Sequence, residues 1–338
     1  MDISISGSLT HVLLIEDVTQ IGHARRTAQR LAERSGFDEA DAGRVALVTT
    51  ELASNLLKHA SRGELHLQVV PGTTGLGIEV LAIDRAGGFD RDACMADGFS
   101  TGGTQGIGLG AVSRQAEVFD MYADERGAVL LARFYANAQR KVDIRFGASQ
   151  HSLHNDPACG DCWHLVLGAK GLSALVLDGL GHGPDAEHAA LTGRAAFAAT
   201  PFAAPQELFL DIHQAMTGTR GGAAAIAQYD AGSDSLRFTG IGNIGASLVS
   251  ADQGRGLTSH PGIVGAQFRK AQPFDYAHVN GNLLIMYSDG LQSRWNLLDY
   301  PGLVYRHPAV IAAVLHRDFN RGRDDVTVLV VTLEAVHG

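Results

Sequence analysis

The chain has 338 residues, about twice the usual length of one domain, so two domains are expected. Hydrophobic residues make up 45% and charged residues 19%, a composition that excludes a disordered chain. The formal net charge of −9, without a basic stripe, argues against a nucleic-acid partner. No apolar run approaches the roughly 20 residues of a spanning helix, and no secretory signal is visible. A cytoplasmic protein without a membrane partner is therefore expected.

The first half predicts helices followed by strands. Apolar residues recur at helical spacing in two segments separated by a turn at Gly36, and a hairpin pattern follows them. In chain order the predicted elements are helices at 19–35 and 38–60, hairpin strands at 65–70 and 76–83, a helix at 111–119 and a strand at 128–134. The polar, non-periodic residues 136–142 place the boundary between a domain of residues 1–137 and a domain of residues 138–338.

The second half predicts mostly short strands bounded by Gly, Asp or Asn. The predicted strands are 163–167, 172–177, 223–229, 236–241, 283–287 and 326–333, and the predicted helices are 185–199, 205–217 and 307–318. This layout indicates a sheet-on-sheet core with helices outside. The half also holds fifteen Asp against three Glu. Because the short Asp carboxylate coordinates hard cations well, that bias is a first indication of metal chemistry.

A polar face on the second predicted helix suggests a nucleotide site. Glu51, Asn55 and His59 are spaced four residues apart and therefore share one helix face. An Asn oxygen is a suitable Mg²⁺ ligand, and a Glu one turn away can accept a proton from an attacking hydroxyl. An ordinary solvated stripe on an amphipathic helix is the alternative for this segment.

Two later features favour the nucleotide interpretation. Asp84 ends an apolar strand, where a carboxylate can accept a hydrogen bond from an adenine amino group. A Ser/Thr/Gly-rich loop, residues 98–110, leads directly into a helix, whose free N–H groups favour a phosphate. The glycines of this loop are not a dinucleotide fingerprint, because that fingerprint needs a strand immediately before it.

The order Glu-x-x-x-Asn on a helix, Asp at a strand end and a Gly-x-Gly-x-Gly loop resembles the GHKL ATPase family, most closely its small anti-sigma-factor serine kinases of the RsbT and SpoIIAB type. The similarity spans roughly residues 5–135 and implies a GHKL (Bergerat) α/β sandwich that binds ATP with Mg²⁺. It implies these roles: Glu51 as general base, Asn55 as Mg²⁺ ligand, Asp84 as adenine contact, and Gly88, Gly106, Gly108 and Gly110 in the nucleotide loops. One departure is Ala86, which replaces the first glycine of the usual Asp-x-Gly-x-Gly and is expected to crowd the base.

Acidic residues at strand ends suggest a metal site in the second half. They are Asp161, Asp178 and Asp289, with the pair Asp324 and Asp325 before the last strand. A single Asp-Gly at a strand end often marks only a turn, which is the alternative for each instance. Carboxylates gathered from distant strand ends repel one another unless cations lie between them, and a two-metal site makes a nucleophile from bound water.

This arrangement resembles the PPM-type serine/threonine phosphatases in their SpoIIE and RsbX branch, over about residues 143–334. The resemblance implies a PPM-type α-β-β-α sandwich, so that the whole chain is an α/β (α+β) protein of two domains. It implies two Mn²⁺ or Mg²⁺ ions held by these residues: Asp178 as bridging ligand and catalytic residue, the Gly179 carbonyl, Asp161, Asp289 and Asp324. The stretch 240–245, Gly-Ile-Gly-Asn-Ile-Gly, also resembles this branch, whereas His164 replaces an expected carboxylate and is predicted to alter metal binding.

Two other candidates carry less weight. Cys159 and Cys162 have the spacing of a redox or zinc pair, but a zinc site would need a second pair of ligands. His182 follows Asp178 closely and is either a catalytic acid or a loop histidine packed near the metals.

Together, the two resemblances imply a bifunctional switch protein of a bacterial partner-switching, stressosome-like pathway. The first half would phosphorylate a small STAS-domain protein on Ser or Thr, and the second half would remove that phosphate. The alternative is that the first half is a nucleotide-dependent binding module without kinase turnover, so that only the phosphatase is catalytic. A third interpretation is a scaffold of two inert domains. Kinases of this branch can form dimers, so a homodimer is a further expectation.

Overall fold

The computed structural model describes residues 2–60, 63–73, 75–85, 108–136 and 143–334. These residues form two compact units, one of residues 10–144 and one that joins residues 2–9 to residues 145–334. No helix in the described ranges is both long enough and apolar enough to cross a membrane.

The first strand, β1 (Ile3–Ser6), does not belong to the unit in which the sequence division at residue 137 places it. It pairs antiparallel with a strand of the C-terminal unit, where Ser6 lies opposite His164 and Ile5 is buried. The predicted assignment of residues 1–9 to the first domain is therefore wrong. A four-residue strand carries no signal of its distant partner, because pairing depends on backbone hydrogen bonds that every residue offers.

In the described residues of the unit 10–144, the strands form a five-stranded antiparallel sheet with the order β2-β3-β4-β6-β5. Its strands are β2 (His11–Ile15), β3 (Gly63–Pro71), β4 (Leu76–Asp84), β5 (Val118–Asp124) and β6 (Gly127–Tyr135). Within the same described residues the helices are α1 (Val18–Arg34), α2 (Glu39–His59) and α3 (Gly108–Gln115). Apolar faces of the helices pack with the sheet into one core, as the alternating and helical patterns predict.

The two long helices begin at acidic caps. Asp17 accepts hydrogen bonds from the backbone N–H groups of Thr19 and Gln20, and the Gln20 side chain closes a capping box. The Asp38 carboxylate accepts from the Asp41 N–H at the start of α2. These side chains satisfy N–H groups that a helix leaves without internal partners, so they fix where α1 and α2 start.

The predicted helix at 111–119 is only partly correct. Helix α3 ends at Gln115, and β5 begins at Val118 and pairs along its whole length with β6. In the sequence, the first residues of β5 resemble a continuation of the helix, because so short an apolar run fits the periodicity of a helix and that of a strand equally well. Pairing with β6 decides in favour of the strand.

The C-terminal unit is a sandwich of a six-stranded sheet, β1-β8-β9-β10-β11-β16, and a five-stranded sheet, β13-β12-β17-β18-β7, with a small two-stranded sheet β14-β15. The strands after β6 are β7 (Phe146–His151), β8 (Asp161–Gly168), β9 (Gly171–Gly179), β10 (Gly222–Asp230), β11 (Ser235–Ile241), β12 (Gly245–Val249), β13 (Gly254–Gly256), β14 (Gly262–Ile263), β15 (Gln267–Phe268), β16 (Phe274–Ala277), β17 (Leu283–Tyr287) and β18 (Val326–Thr332). The helices are α4 (Pro184–Ala199), α5 (Pro205–Met216) and α6 (Pro308–Phe319).

Helices cover the outside of this sandwich. The apolar residues of α4 and α5 share a core with β8, β9 and β10, whereas α6 packs on β7 and β18. Between the sheets the ring of Phe146 meets that of Trp163, with centroids 5.7 Å apart. The predicted α-β-β-α sandwich is thus confirmed, and it brings the ends of β8, β9, β17 and β18 to one edge.

Candidate functional site

The two carboxylates of the six-stranded sheet stand directly opposite each other. Asp161 opens β8 and pairs in register with Asp178 near the end of β9. Side chains at paired positions of an antiparallel ladder lie on the same face, with Cβ atoms about 4.5–5.5 Å apart. Asp161 is buried and Asp178 is mostly buried. Two negative charges at these opposed positions would destabilise the sheet. The pairing of Asp161 with Asp178 therefore favours binding of a cation between the two carboxylates.

The other sheet brings a second acidic pair to the same edge. Asp289 follows β17 and Asp324 precedes β18, and these strands are paired neighbours. Ser288 joins the two sheets, because its hydroxyl donates to the Asp161 carboxylate at 2.6 Å and accepts from the Thr327 N–H at 2.9 Å. Four carboxylates from four strand ends therefore converge on one edge of the sandwich.

The electrostatics of this cluster are those of a cation site. Burial, and then the charges of Asp161, Asp289, Asp324 and Asp325, raise the pKa of Asp178 to about 9. Burial also raises the pKa of Asp161, against the opposing hydrogen bond from Ser288. A group of buried oxygen ligands that repel one another when ionised suits a hard divalent cation.

We expect the metal-free protein to lose stability as the pH rises from 6.5 to 8.5. A folded-state carboxyl pKa above the ordinary 3.8 means that the folded protein holds protons that the unfolded chain has released, so the free energy of unfolding falls as the pH rises toward 9. Thermal unfolding in a chelator should show this fall, and added Mn²⁺ should stabilise the protein more at pH 8.5 than at 6.5. His164 opposes this fall only weakly, because burial lowers its folded-state pKa to about 4 and the unfolded chain has lost most of its proton on that residue above its ordinary pKa of 6.5. An increase of the unfolding temperature on addition of Mn²⁺ that is equal at pH 6.5 and pH 8.5 would contradict the idea that Mn²⁺ and protons compete for these carboxylates.

Asp325 has a different role from its neighbour Asp324. Its two carboxylate oxygens accept hydrogen bonds from the N–H groups of Leu153 and Gly160, both at 2.6 Å. Asp325 thus closes the loop that leads to Asp161, while the Asp324 carboxylate accepts a hydrogen bond from the Asp325 N–H at 2.9 Å. The choice of Asp324 as the ligand stays a prediction.

Gly179 follows Asp178 at a position that a side chain could not occupy. A Cβ atom there would clash with the Ala186 carbonyl oxygen of α4, which approaches the end of β9 closely. The Gly179 N–H donates to the Gly160 carbonyl at 2.8 Å. Gly160, just before Asp161, is therefore held by this backbone hydrogen bond and by the Asp325 carboxylate.

Sequence reasoning did not find the function of Asn243, which lies in the stretch 240–245. Its amide donates to the Asp289 carboxylate at 2.5 Å. Gly242 precedes it with a positive φ of 92°, and a Cβ atom there would meet that of Ala223 at 2.5 Å, so only glycine places the loop at this distance. A polar residue between closely spaced glycines is the available signal, but only the fold shows which carboxylate it reaches.

We expect Asn243→Ala to weaken Mn²⁺ binding by about 10- to 100-fold, the usual cost of losing a hydrogen bond that orients a metal ligand. Calorimetric titration with Mn²⁺ measures this affinity. Thermal unfolding in a chelator should change little, because the Asn243 side chain is exposed. Unchanged Mn²⁺ affinity would show that Asp289 does not depend on Asn243.

The structure does not bring His164 into the acidic cluster. Successive strand residues alternate between faces, so His164 lies on the opposite face of β8 from Asp161. Its two ring nitrogens contact the hydroxyls of Ser4 and Ser6 at 2.9 and 3.1 Å. It is a buried structural histidine beneath β1, and its ring edge meets Phe197.

Cys159 and Cys162 are buried free thiols. Burial raises the pKa of Cys162 to about 12, and its thiol donates to the Ala190 carbonyl at 3.3 Å. A thiol that stays protonated is a poor nucleophile and a poor zinc ligand. The geometry therefore gives no support to a redox or zinc site.

The nucleotide-site candidates surround the core of the N-terminal unit. Leu52 and Leu56 of α2 are buried in that core, and Glu51 and Asn55 lie beside them, half-buried. The same core contains Ala82 of β4 and Leu109 of α3. Helix α2, the end of β4 and the start of α3, which carry the nucleotide-site candidates, thus pack against one common core.

Asp84 ends β4 as predicted and is buried. Its carboxylate accepts from the Ala128 N–H at 3.4 Å, and Gly127 lies so close to its carbonyl that a Cβ atom there would clash with the oxygen. Gly108, with a φ of 71°, begins α3, and Gly110 is buried within it. Gly88 and Gly106, and with them Ala86, lie outside the described residues.

Family models match both halves of the chain. The model of the histidine kinase-like ATPase domain matches residues 15–134, and that of stage II sporulation protein E (SpoIIE) matches residues 168–334. Among curated proteins, the serine/threonine-protein kinase RsbT of Bacillus subtilis is 32% identical over 99 residues, which cover 29% of this chain and 74% of RsbT.

Three solved structures are similar to parts or most of this chain. A chain from work on the bacterial stressosome as a modular system adapted to control secondary messenger signaling is 25% identical, with a TM-score of 0.52, and covers 56% of this chain and 99% of its own. RsbX in complex with magnesium is 19% identical with a TM-score of 0.50, over 58% of this chain and 99% of RsbX. The PP2C domain of SpoIIE from Bacillus subtilis, with a fragment of its regulatory domain, is 16% identical with a TM-score of 0.50. The match covers 95% of this chain and 96% of the SpoIIE chain.

The kinase relative and the ATPase model cover the unit that carries Glu51, Asn55 and Asp84. The SpoIIE model covers strands β9 to β18 and with them Asp178, Asp289 and Asp324, whereas Asp161 precedes its first matched residue. The chain therefore belongs to the histidine kinase-like ATPase family through a domain homologous to the kinase RsbT, and it joins to this domain a second one that resembles SpoIIE and has the fold of PP2C phosphatases.

Proposed function

We propose that the C-terminal unit is a metal-dependent protein-serine/threonine phosphatase. The observation that carries the proposal is the direct opposition of Asp161 and Asp178 in the β8–β9 register. Two buried carboxylates held face to face are stable when ionised only with cations between them. Asp161, Asp178, Asp289, Asp324 and the Gly179 carbonyl would hold two Mn²⁺ or Mg²⁺ ions.

The chain's own residues would keep this site in shape. Ser288 fixes the orientation of Asp161, and Asn243 fixes that of Asp289. Asp325 holds the loop around Asp161, so the ligands are in place before substrate arrives. The bound ions supply activation of water and neutralisation of the phosphate charge. Preorganised ligands of this kind avoid the cost of rearranging charged groups during the reaction.

We propose that the N-terminal unit is an ATP-dependent protein-serine/threonine kinase. Glu51 would accept the proton of the substrate hydroxyl, and Asn55 would hold Mg²⁺ with ATP. Asp84 would bind the adenine amino group, and Gly88, Gly106, Gly108 and Gly110 would lie around the nucleotide. The homology to RsbT and the placement of Glu51 and Asn55 on the half-buried face of α2 support this assignment.

The substrate that suits both halves is a small STAS-domain protein of a partner-switching pathway. A kinase and a phosphatase in one chain would set the phosphorylation state of one Ser or Thr from both directions. A relative from stressosome work and the kinase RsbT support this context. The second candidate function, a nucleotide-dependent binding module without turnover, is favoured by Ala86 at the first glycine of the loop after Asp84.

Calorimetry with ATP, followed by a single-turnover transfer assay with a STAS protein encoded beside this chain, separates the two candidates. A kinase binds ATP and transfers label in one turnover. A binding module binds nucleotide or partner without transfer. Because a binding module puts no label on the STAS protein, the phosphatase is tested independently with a chemically phosphorylated peptide, whose dephosphorylation should require Mn²⁺ and Asp178 in either case.

A further inference from the structure

A short segment next to the acidic cluster carries an arginine that the proposed metal chemistry leaves unexplained. Residues 319–322 run alongside residues 290–292, which directly follow Asp289. The Arg321 N–H donates to the Gly290 carbonyl at 2.9 Å, and the Gln292 N–H donates to the Phe319 carbonyl at 2.9 Å. Asn320 and Leu291 form an antiparallel bridge between these contacts. The backbone of Arg321 is thus tied beside a metal ligand.

Further contacts fix the segment itself. The Asn320 side chain accepts from the Gly322 N–H at 2.8 Å and contacts the His316 ring at 3.1 Å. Gly290 lies directly against Asp325, since a Cβ atom on it would clash with the Asp325 carbonyl oxygen. These hydrogen bonds and close contacts therefore fix the backbone of Arg321 at the rim of the acidic cluster.

The side chain of Arg321 is exposed, and no hydrogen bond or ion pair within the described ranges engages its guanidinium. Its positive charge nevertheless acts on Asp289, whose pKa it lowers against the larger effect of burial. Arg220, another arginine near this edge, differs because its guanidinium already binds the Asp185 carboxylate at 2.9 Å. Arg321 is the better placed of the two to receive an anion.

The charge balance of the loaded site calls for such a residue. Asp161, Asp178, Asp289, Asp324 and Asp325 bring five negative charges when ionised, and two divalent cations bring four positive ones. A phosphomonoester adds about two negative charges near neutral pH. The planar guanidinium forms paired, charge-assisted hydrogen bonds with phosphate oxygens, which suits it to this ligand better than an ammonium group.

We propose that Arg321 is a substrate-binding residue that receives the phosphoryl group of the phosphoserine or phosphothreonine substrate at the rim of the metal site. The inference rests on the proposed phosphatase function. It concerns recognition of the phosphate and not the strength of metal binding. The same group would bind inorganic phosphate, the product of hydrolysis.

The test compares Arg321→Ala and Arg321→Lys with Arg323→Ala and Arg237→Ala. Arg323 is an exposed arginine of the same loop, and Arg237 is paired with Asp275 on β11 and β16. With saturating Mn²⁺ and p-nitrophenyl phosphate, we expect Arg321→Ala to raise KM, and the inhibition constant of inorganic phosphate, by about ten- to a hundredfold. The turnover number kcat should change less than about threefold, the Lys variant should be intermediate, and both controls should resemble the parent protein.

A change in the Mn²⁺ concentration for half-maximal activity, with KM and phosphate inhibition unchanged at saturating metal, would overturn the proposal, because Arg321 would then act only through Asp289. Equal effects of Arg321→Ala and Arg323→Ala would also overturn it, since they indicate general surface charge. If the parent protein hydrolyses nothing, the phosphatase assignment fails on its own. Calorimetric binding of inorganic phosphate to the Mn²⁺-loaded protein then still decides whether Arg321→Ala weakens the phosphate site.

Discussion

Asp178→Asn is expected to reduce Mn²⁺-dependent phosphatase activity by at least about 10³-fold, since removal of a single preorganised electrostatic group already costs 10²- to 10³-fold. Asp178 would contact both ions, and it stands opposite Asp161 in the register of β8 and β9. Steady-state hydrolysis of p-nitrophenyl phosphate and of a phosphoserine peptide measures the loss. Asp275→Asn, which changes an exposed carboxylate paired with Arg237, is the matched control and should keep full activity.

The same variant should stabilise the metal-free protein. Asn keeps the shape of Asp178 but removes the charge that burial and its acidic neighbours oppose. We expect a gain of about 1 kcal/mol, the upper range for relief of a like-charged cross-strand pair, and thus about 2–4 °C in Tm for a domain of this size. An inactive variant that is also less stable in a chelator would indicate a structural role for Asp178 and would contradict its role as a metal ligand.

Glu51→Gln is expected to lower phosphotransfer by about 10²- to 10⁴-fold, the usual contribution of a general base. The amide cannot accept the proton of the substrate hydroxyl, but it keeps the size of the side chain on α2. Affinity for ATP should remain within about threefold, because Asn55 and Asp84, and not Glu51, would contact the nucleotide complex. Single-turnover transfer from labelled ATP, combined with calorimetry, measures both quantities.

Glu33→Gln is the control for Glu51→Gln, since it removes an exposed carboxylate from the neighbouring helix α1. It should transfer phosphate at the parent rate. Full transfer by Glu51→Gln would place the base elsewhere. Binding of ATP without transfer in the parent protein would favour the binding-module alternative for the N-terminal unit.

Local patterns predict most of the fold because they carry their own periodicity. The helices over 18–34 and 39–59, the hairpin of β3 and β4, and the two-sheet sandwich follow from spacings of apolar residues. The Asp-Gly pairs at Asp178 and Asp289 are recognisable in the sequence because each comes at the end of an apolar run typical of a strand. The homodimer and the STAS partner stay predictions, since they depend on surfaces of other molecules.

Long-range pairing is not predictable from these patterns. The sequence does not state that Asp161 meets Asp178 in register, that Ser288 bridges the two sheets, or that Asn243 reaches Asp289. It also suggests that His164 alters metal binding, whereas strand alternation turns this residue away and β1 covers it. Each of these contacts joins residues far apart in the chain, and only the closed sandwich defines them.

The most direct test of opposing activities in one chain is a time course of label on a cognate STAS-domain protein. With labelled ATP and Mg²⁺, the Asp178→Asn variant should accumulate label steadily. The parent protein with Mn²⁺ should first reach a lower level and then lose the label once unlabelled ATP is added in excess. No label with Asp178→Asn would contradict the kinase half, and label that persists on the parent protein in Mn²⁺ would contradict the phosphatase half.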